Sequence, residues 1–192
     1  MNQLACDRIF FRHRALLLIV IFVSLVIPQF GWAQEAASES QVKAAFLYKF
    51  TTYVDWPDSA FERPDAPLTI GVMDADDVEH ELLGLVAGRR IKNRVLLVRH
   101  LDTGDALSSN QILFVGKASV NRLGSILSSV KSNPVLTVTE VEAIPTQGSV
   151  INFILIDDQV RFQISLVAAQ QKNLKISSRL LSVAQQVVTE GQ

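Results

Sequence analysis

Four short apolar runs set the strongest limit on what this chain folds into. They are LTIGVMD (residues 68–74), RVLLVRH (94–100), QILFVG (111–116) and PVLTVTE (134–140), each of strand length and rich in Val, Ile and Leu. Between the first two, residues 76–86 repeat apolar side chains at helical spacing, with Val78, Leu82, Leu83 and Leu85 or Val86 inward. Between the last two, residues 118–130 form a second helix. Gly88 closes the first helix, because glycine accepts the left-handed conformation at a helix end. Strands alternating with helices predict a largely parallel sheet covered on both faces.

That rhythm changes at residues 151–165, INFILIDDQVRFQIS. Two strand-like runs abut with only Asp157-Asp158 between them, which is the signature of a β-hairpin. A two-residue loop fixes the register as Leu155 with Val160, Phe153 with Phe162 and Ile151 with Ile164. All six side chains then share one face, and a slip of one residue scrambles it. The opposite face carries Asn152, Ile154, Ile156, Gln159, Arg161 and Gln163. After the hairpin come a short helix at 166–171, a turn at Lys172-Asn173, and the helix SSRLLSVAQQVV with Leu180, Val183, Ala184 and Val187 inward. The expected fold is therefore α/β: a single domain with a mixed, mostly parallel sheet flanked by helices, and a C-terminal hairpin followed by helices.

The N-terminal part differs in kind. Arg8, Arg12 and Arg14 precede the apolar run ALLLIVIFVSLVI, and small residues follow at Gly31 and Ala33. This order predicts a secretory signal peptide over residues 1–33, cleaved after Ala33. The run is shorter than the roughly 20 residues a membrane-spanning helix needs. Residues 34–40 form a polar lead-in and residues 41–190 one domain. The segment 1–33 holds three Arg, one Asp and Cys6, the chain's only cysteine. Of 18 basic and 19 acidic residues, 15 and 18 then remain, a balance that argues against nucleic acid as a partner. The exported form has no thiol with which to make a disulfide.

The domain opens with a helix in SESQVKAAFLYKFTTYVDWP, capped by Ser38 or Ser40 and stopped by Pro57. Its inward stripe reads Val42, Ala45, Phe46, Lys49 or Phe50, Tyr53 and Val54. The aromatic set Phe46, Phe50, Tyr53 and Trp56 reads as core rather than as a ligand platform.

No catalytic constellation stands out. Asp157 and Asp158 suit the left-handed conformations of a tight turn. The acids of DADD (residues 74–77) suit the N-terminus of a helix. LDTGD (101–105) lacks the ligand spacing of a calcium loop. His80 and His100 stand apart in sequence without further ligands at metal-binding spacing, so no metal is expected. No glycine-rich phosphate or dinucleotide fingerprint follows the first strand, so no cofactor is expected. GRRIKNR (88–94) reads as a solvated turn. The residues point to a binding or regulatory domain and to no catalytic residue.

QVKAAFLYKFTTYVDWP and INFILIDDQVRFQIS…NLKISSRLLSVA resemble the YfiR-like family of small periplasmic proteins, which includes HmsC-type members. The resemblance runs from about Val42 to Val187. It implies an α/β fold, frequent dimers, and repression of a membrane-bound diguanylate cyclase through its periplasmic sensory domain. Release of that repression raises cyclic-di-GMP and promotes biofilm. Members commonly carry Phe-Glu-Ile-Asn in the second hairpin strand, where this chain has Phe162-Gln163-Ile164-Ser165. The outer hairpin residues Arg161 and Gln163, with the nearby cations Lys175 and Arg179, are the expected partner-binding residues. For Trp56, burial is favoured over a role as a partner anchor. A periplasmic sensor or solute-binding domain for a small ligand is the second reading.

Overall fold

The computed structural model describes residues 37–141 and 148–189. The expected signal peptide, its cleavage site and Cys6 lie outside the described residues. The first helix, α1, spans Glu39–Tyr53 and so begins inside the expected lead-in. Ser38 caps it: its hydroxyl accepts from the Gln41 N–H while the Gln41 side chain accepts from the Ser38 N–H. The helix ends before Pro57, because Val54 is already extended and starts β1 (Val54–Asp55).

The buried stripe of α1 is rotated from the expected one. Lys43, Ala44, Leu47, Phe50 and Thr51 face inward, Val42 and Phe46 are half-buried, and Ala45 and Lys49 are exposed. Phe46 and Phe50 pack the helix against Phe153 and Phe162 of the hairpin, and Lys43 lies on the same inward side as the buried Leu47, one turn earlier.

The sheet contains the six predicted strands, β2 (Leu68–Met73), β4 (Arg94–His100), β5 (Ile112–Val115), β6 (Leu136–Thr139), β7 (Ile151–Ile156) and β8 (Gln159–Ser165), and two that were not predicted, β3 (Arg90–Ile91) and β10 (Gln186–Val188). Their spatial order is β10-β8-β7-β6-β5-β2-β4-β3. All neighbours are parallel except the β7–β8 and β3–β4 pairs. Helix α2 (Asp76–Val86) joins α1 on one face, over Ile70, Val72, Ile112 and Phe114. Helix α3 (Leu123–Ser129), entered through a 3₁₀ turn at Lys117–Arg122, covers Met73, Leu113 and Val115 on the other. Burial on both faces accounts for the unbroken apolar runs of β2, β5 and β6, whereas β4, expected to be covered on both faces as well, leaves Val95 and Leu97 exposed.

The hairpin register is the expected one, with Leu155 opposite Val160, Phe153 opposite Phe162 and Ile151 opposite Ile164. Asp157 and Asp158 turn it with φ of 49° and 58°, both left-handed. Leu155 departs from expectation. It shares the inner face, but it lies at the hairpin tip beyond the helix cover and is 49% exposed.

Other differences follow from pairing the sequence does not display. GRRIKNR is a second hairpin, in which Arg90 and Ile91 pair with Val95 and Arg94 around Lys92-Asn93 at positive φ. Leu83 on α2 is exposed, because Val78, Leu82 and Val86 fill the contact. After α4 (Leu166–Gln171) and β9 (Lys175–Ile176), the expected long terminal helix is one turn only, α5 (Ser178–Ser182). Residues 186–188 leave it and pair in parallel with Gln163, Ile164 and Ser165. Leu180 is buried as expected, but Val183 is 63% exposed and Val187 is only half-buried at the sheet edge. Lys172 lies in the expected turn with Asn173, but it is buried, and its ammonium donates to the Val130 carbonyl at 2.6 Å.

Candidate functional site

The strands β2 and β5 lie side by side, yet the chain leaves them in opposite directions. After β2 it enters α2 on one face, and after β5 it enters the 3₁₀ turn and α3 on the other. Such a switch point opens a crevice at the carboxyl ends of the strands, where α/β folds place their ligands. Here the two ends approach closely: the Gly116 N–H donates to the Met73 carbonyl at 2.8 Å. A Cβ on Gly116 would lie 2.0 Å from the Asp74 carbonyl oxygen, so only glycine fits. Asp74, at φ 53°, accepts from Ser119 and, at 2.7 Å, from Arg122. Those bonds hold its carboxyl below the usual carboxylate range, led by the Ser119 hydroxyl.

The N-terminus of α1 lies over the same edge. There the Lys43 ammonium binds both Glu39 and Glu140, the residue that follows β6. The Lys43 side chain is 7% exposed and that of Glu140 9%, against 40% for Glu39. The Lys117 N–H donates to Glu140 at 2.9 Å, and its ammonium lies 3.3 Å from Glu39. Two lysines and two glutamates therefore balance. Burial alone lowers the Lys43 pKa, but the hydrogen bonds the ammonium donates to Glu140 and Glu39 outweigh it and hold it above the ordinary lysine range. Glu39 is held below its usual range, mainly by its bond from Lys43.

Around this quartet lies a cleft of about 690 Å³ whose other walls are Val120, Val141, Phe153, Ile154 and Leu155. Val120 is 52% exposed and Leu155 49%, so the cleft has an apolar lip and a charged floor. A second recess of about 430 Å³ shares the four charged residues and adds Ser38, Asp74 and Asp77. A lysine held in its charged form is no nucleophile, and a carboxylate held ionised is no general acid. This chemistry favours binding over bond making.

The expected partner residues lie elsewhere. Arg161 is exposed on the outer face of β8, where it donates to Gln159 at 2.5 Å. Gln163, on the same face, donates to Gln186 at 2.8 Å and receives a 3.4 Å bond from Asn152, so its amide links β7, β8 and β10. Lys175 is exposed on β9, paired with Asp55 of β1, and Arg179 is exposed on α5. Phe162 points from β8 toward Phe46 and Phe50 of α1, so Arg161 and Gln163 point away from that helix. Lys175, by contrast, lies on the ribbon at the end of α1. Trp56 is half-buried against the core, with its indole N–H donating to the Gln111 carbonyl at 3.0 Å.

Sequence reasoning missed Lys43 and Glu140. The signal was there: Lys43, Leu47, Phe50 and Val54 recur at helical spacing, which puts a lone cation on an apolar stripe.

A family model described as YfiR/HmsC-like matches residues 40–185. The match takes in every described element except the first residue of α1 and β10. The chain belongs to the YfiR/HmsC-like family. A search of curated proteins finds no match. The YfiR/HmsC-like family is known for regulators in cyclic-di-GMP signalling and is regulatory rather than catalytic. The amide of Gln163 both donates and accepts, as no carboxylate does.

Proposed function

We propose that the chain is a periplasmic negative regulator that binds the periplasmic sensory domain of an inner-membrane diguanylate cyclase. In that role it restrains cyclic-di-GMP formation and biofilm growth. Membership of the YfiR/HmsC-like family over residues 40–185 carries this reading. The N-terminal segment, read as a signal peptide cleaved after Ala33, supports a location beside such a domain. Arg161, Gln163, Lys175 and Arg179 are the proposed contacts, and the protein acts without a cofactor or a catalytic residue. Affinity capture from solubilised membranes tests the reading. A membrane protein with a periplasmic domain and a cyclase domain is expected on the bait, and its absence contradicts the proposal.

The cleft favours a second reading, a small-ligand sensor. Its volume suits a compact metabolite, and Lys43, Lys117, Glu39 and Glu140 offer converging charges. A thermal-shift screen of amino acids, nucleotides and organic anions tests it. A concentration-dependent rise in Tm that Lys117→Ala removes supports a sensor.

A further inference from the structure

We propose that Asp76, Glu79 and His100 form a binding site for a zinc-class divalent cation, with Asp102 orienting the imidazole. The fold brings these residues together from two places. β2 and β4 are parallel, and His100 pairs with Val72, close to the point where the chain enters α2. Side chains alternate along β4, so Leu96, Val98 and His100 share the face that α2 covers. Asp76 and Glu79 stand three residues apart on α2 and thus on one helical face, toward the end of β4.

Donor atoms of Asp76, Glu79 and His100 all lie within 4.8 Å of one another. The His100 Nδ1 is 2.6 Å from Glu79. Ligands at zinc distance, about 2.1 Å from the ion, stand about 3.4 Å apart in a tetrahedron, so small side-chain rotations seat the metal. The second ring nitrogen, Nε2, faces Asp102 at 3.7 Å. A carboxylate behind a ligating imidazole is the usual device for fixing its tautomer and its aim.

Charge points the same way. Three carboxylates surround one imidazole, and among the described residues no Lys or Arg ion-pairs with Asp76, Glu79 or Asp102. Even a protonated His100 leaves two negative charges uncompensated, and a divalent cation removes that surplus. Imidazole with carboxylates selects zinc and its first-row neighbours over calcium or magnesium. Three protein ligands leave the remaining positions to water or to a partner's side chain. The sequence hid the site because its ligands are spread over residues 76 to 100 with no short motif, and only the parallel pairing of β2 with β4 joins them.

Calorimetric titration of the purified, tag-free protein with zinc chloride is the test, with cobalt(II) absorption as a readout of coordination. Binding of one ion per chain in about the micromolar range is expected, with a Tm that rises with zinc. His100→Gln and Glu79→Gln should each weaken binding at least tenfold and bleach the cobalt bands. Asp102→Asn should weaken it about tenfold while keeping the bands. His80→Gln, an exposed histidine on the same helix, should change nothing. Absence of stoichiometric binding, unaltered binding in folded His100→Gln, or loss in His80→Gln would overturn the proposal.

Discussion

The ammonium of Lys43 and the carboxylate of Glu140, 97 residues apart in sequence, meet beneath the surface at the carboxyl edge of the sheet. Their pairing ties the first turns of α1 to the end of β6. Lys43→Met leaves Glu140 enclosed without its cation. We expect a loss of about 2–3 kcal/mol, below the roughly 3–5 kcal/mol of a fully enclosed pair because Glu39 keeps one side open to water. Adding Glu140→Gln should recover part of it, since both partners are then neutral. Urea denaturation of the two single variants and the double variant measures the coupling.

Lys172 predicts an alkaline rise in stability. Burial lowers its pKa from the ordinary 10.5 to about 8. Between those values the unfolded chain keeps a proton that the folded chain has released, so stability increases with pH across that window. Below pH 8 both states are protonated and the burial penalty is constant. Lys43 opposes this only above about pH 10.5, where its stabilising charge begins to be lost. Denaturation curves from pH 7.5 to 10 should therefore rise for the natural protein and stay flatter for Lys172→Met.

The aromatic core and the hairpin tip should respond differently to truncation. Phe162 is 1% exposed and packs edge-on against Phe46 and Phe50, with ring centroids 5.1 and 5.4 Å away. Phe162→Ala should cost about 3–5 kcal/mol. Leu155, half-exposed on the same face, should cost less than about 1 kcal/mol as Leu155→Ala. Equal losses in thermal denaturation would contradict the packing described for the hairpin.

Asp157 and Asp158 form the turn between β7 and β8. Replacing the pair with Asn-Gly should stabilise the protein by about 0.5–1 kcal/mol, because those residues accept positive φ more readily. Partner binding should be unchanged. A loss of binding in the folded variant would restore a functional role to these acids.

The parts of the fold legible in the sequence were those with a period of their own. The strands β2 and β4 to β8 and the helix α2 carry their apolar pattern locally, and the hairpin register follows from a two-residue loop. What stayed hidden depends on distant pairing. Residues 186–188 carry no alternation, and the β8 edge beside them decides that they are a strand. The stripe on α1 was read one position out because Phe46 and Tyr53 are apolar yet only half-buried, while Lys43 is charged yet enclosed. The charged quartet followed it out of sight, since Lys43 becomes informative only once Glu140 is beside it.

The central claim is that this protein restrains a diguanylate cyclase. Intracellular cyclic-di-GMP, measured by mass spectrometry in cells lacking the gene and in cells complemented with it, tests that most directly. The account predicts a rise on deletion. Complementation with the natural protein should reverse it, and a stably folded Arg161→Glu variant should do so less well. An unchanged cyclic-di-GMP level in the deletion strain would contradict the claim.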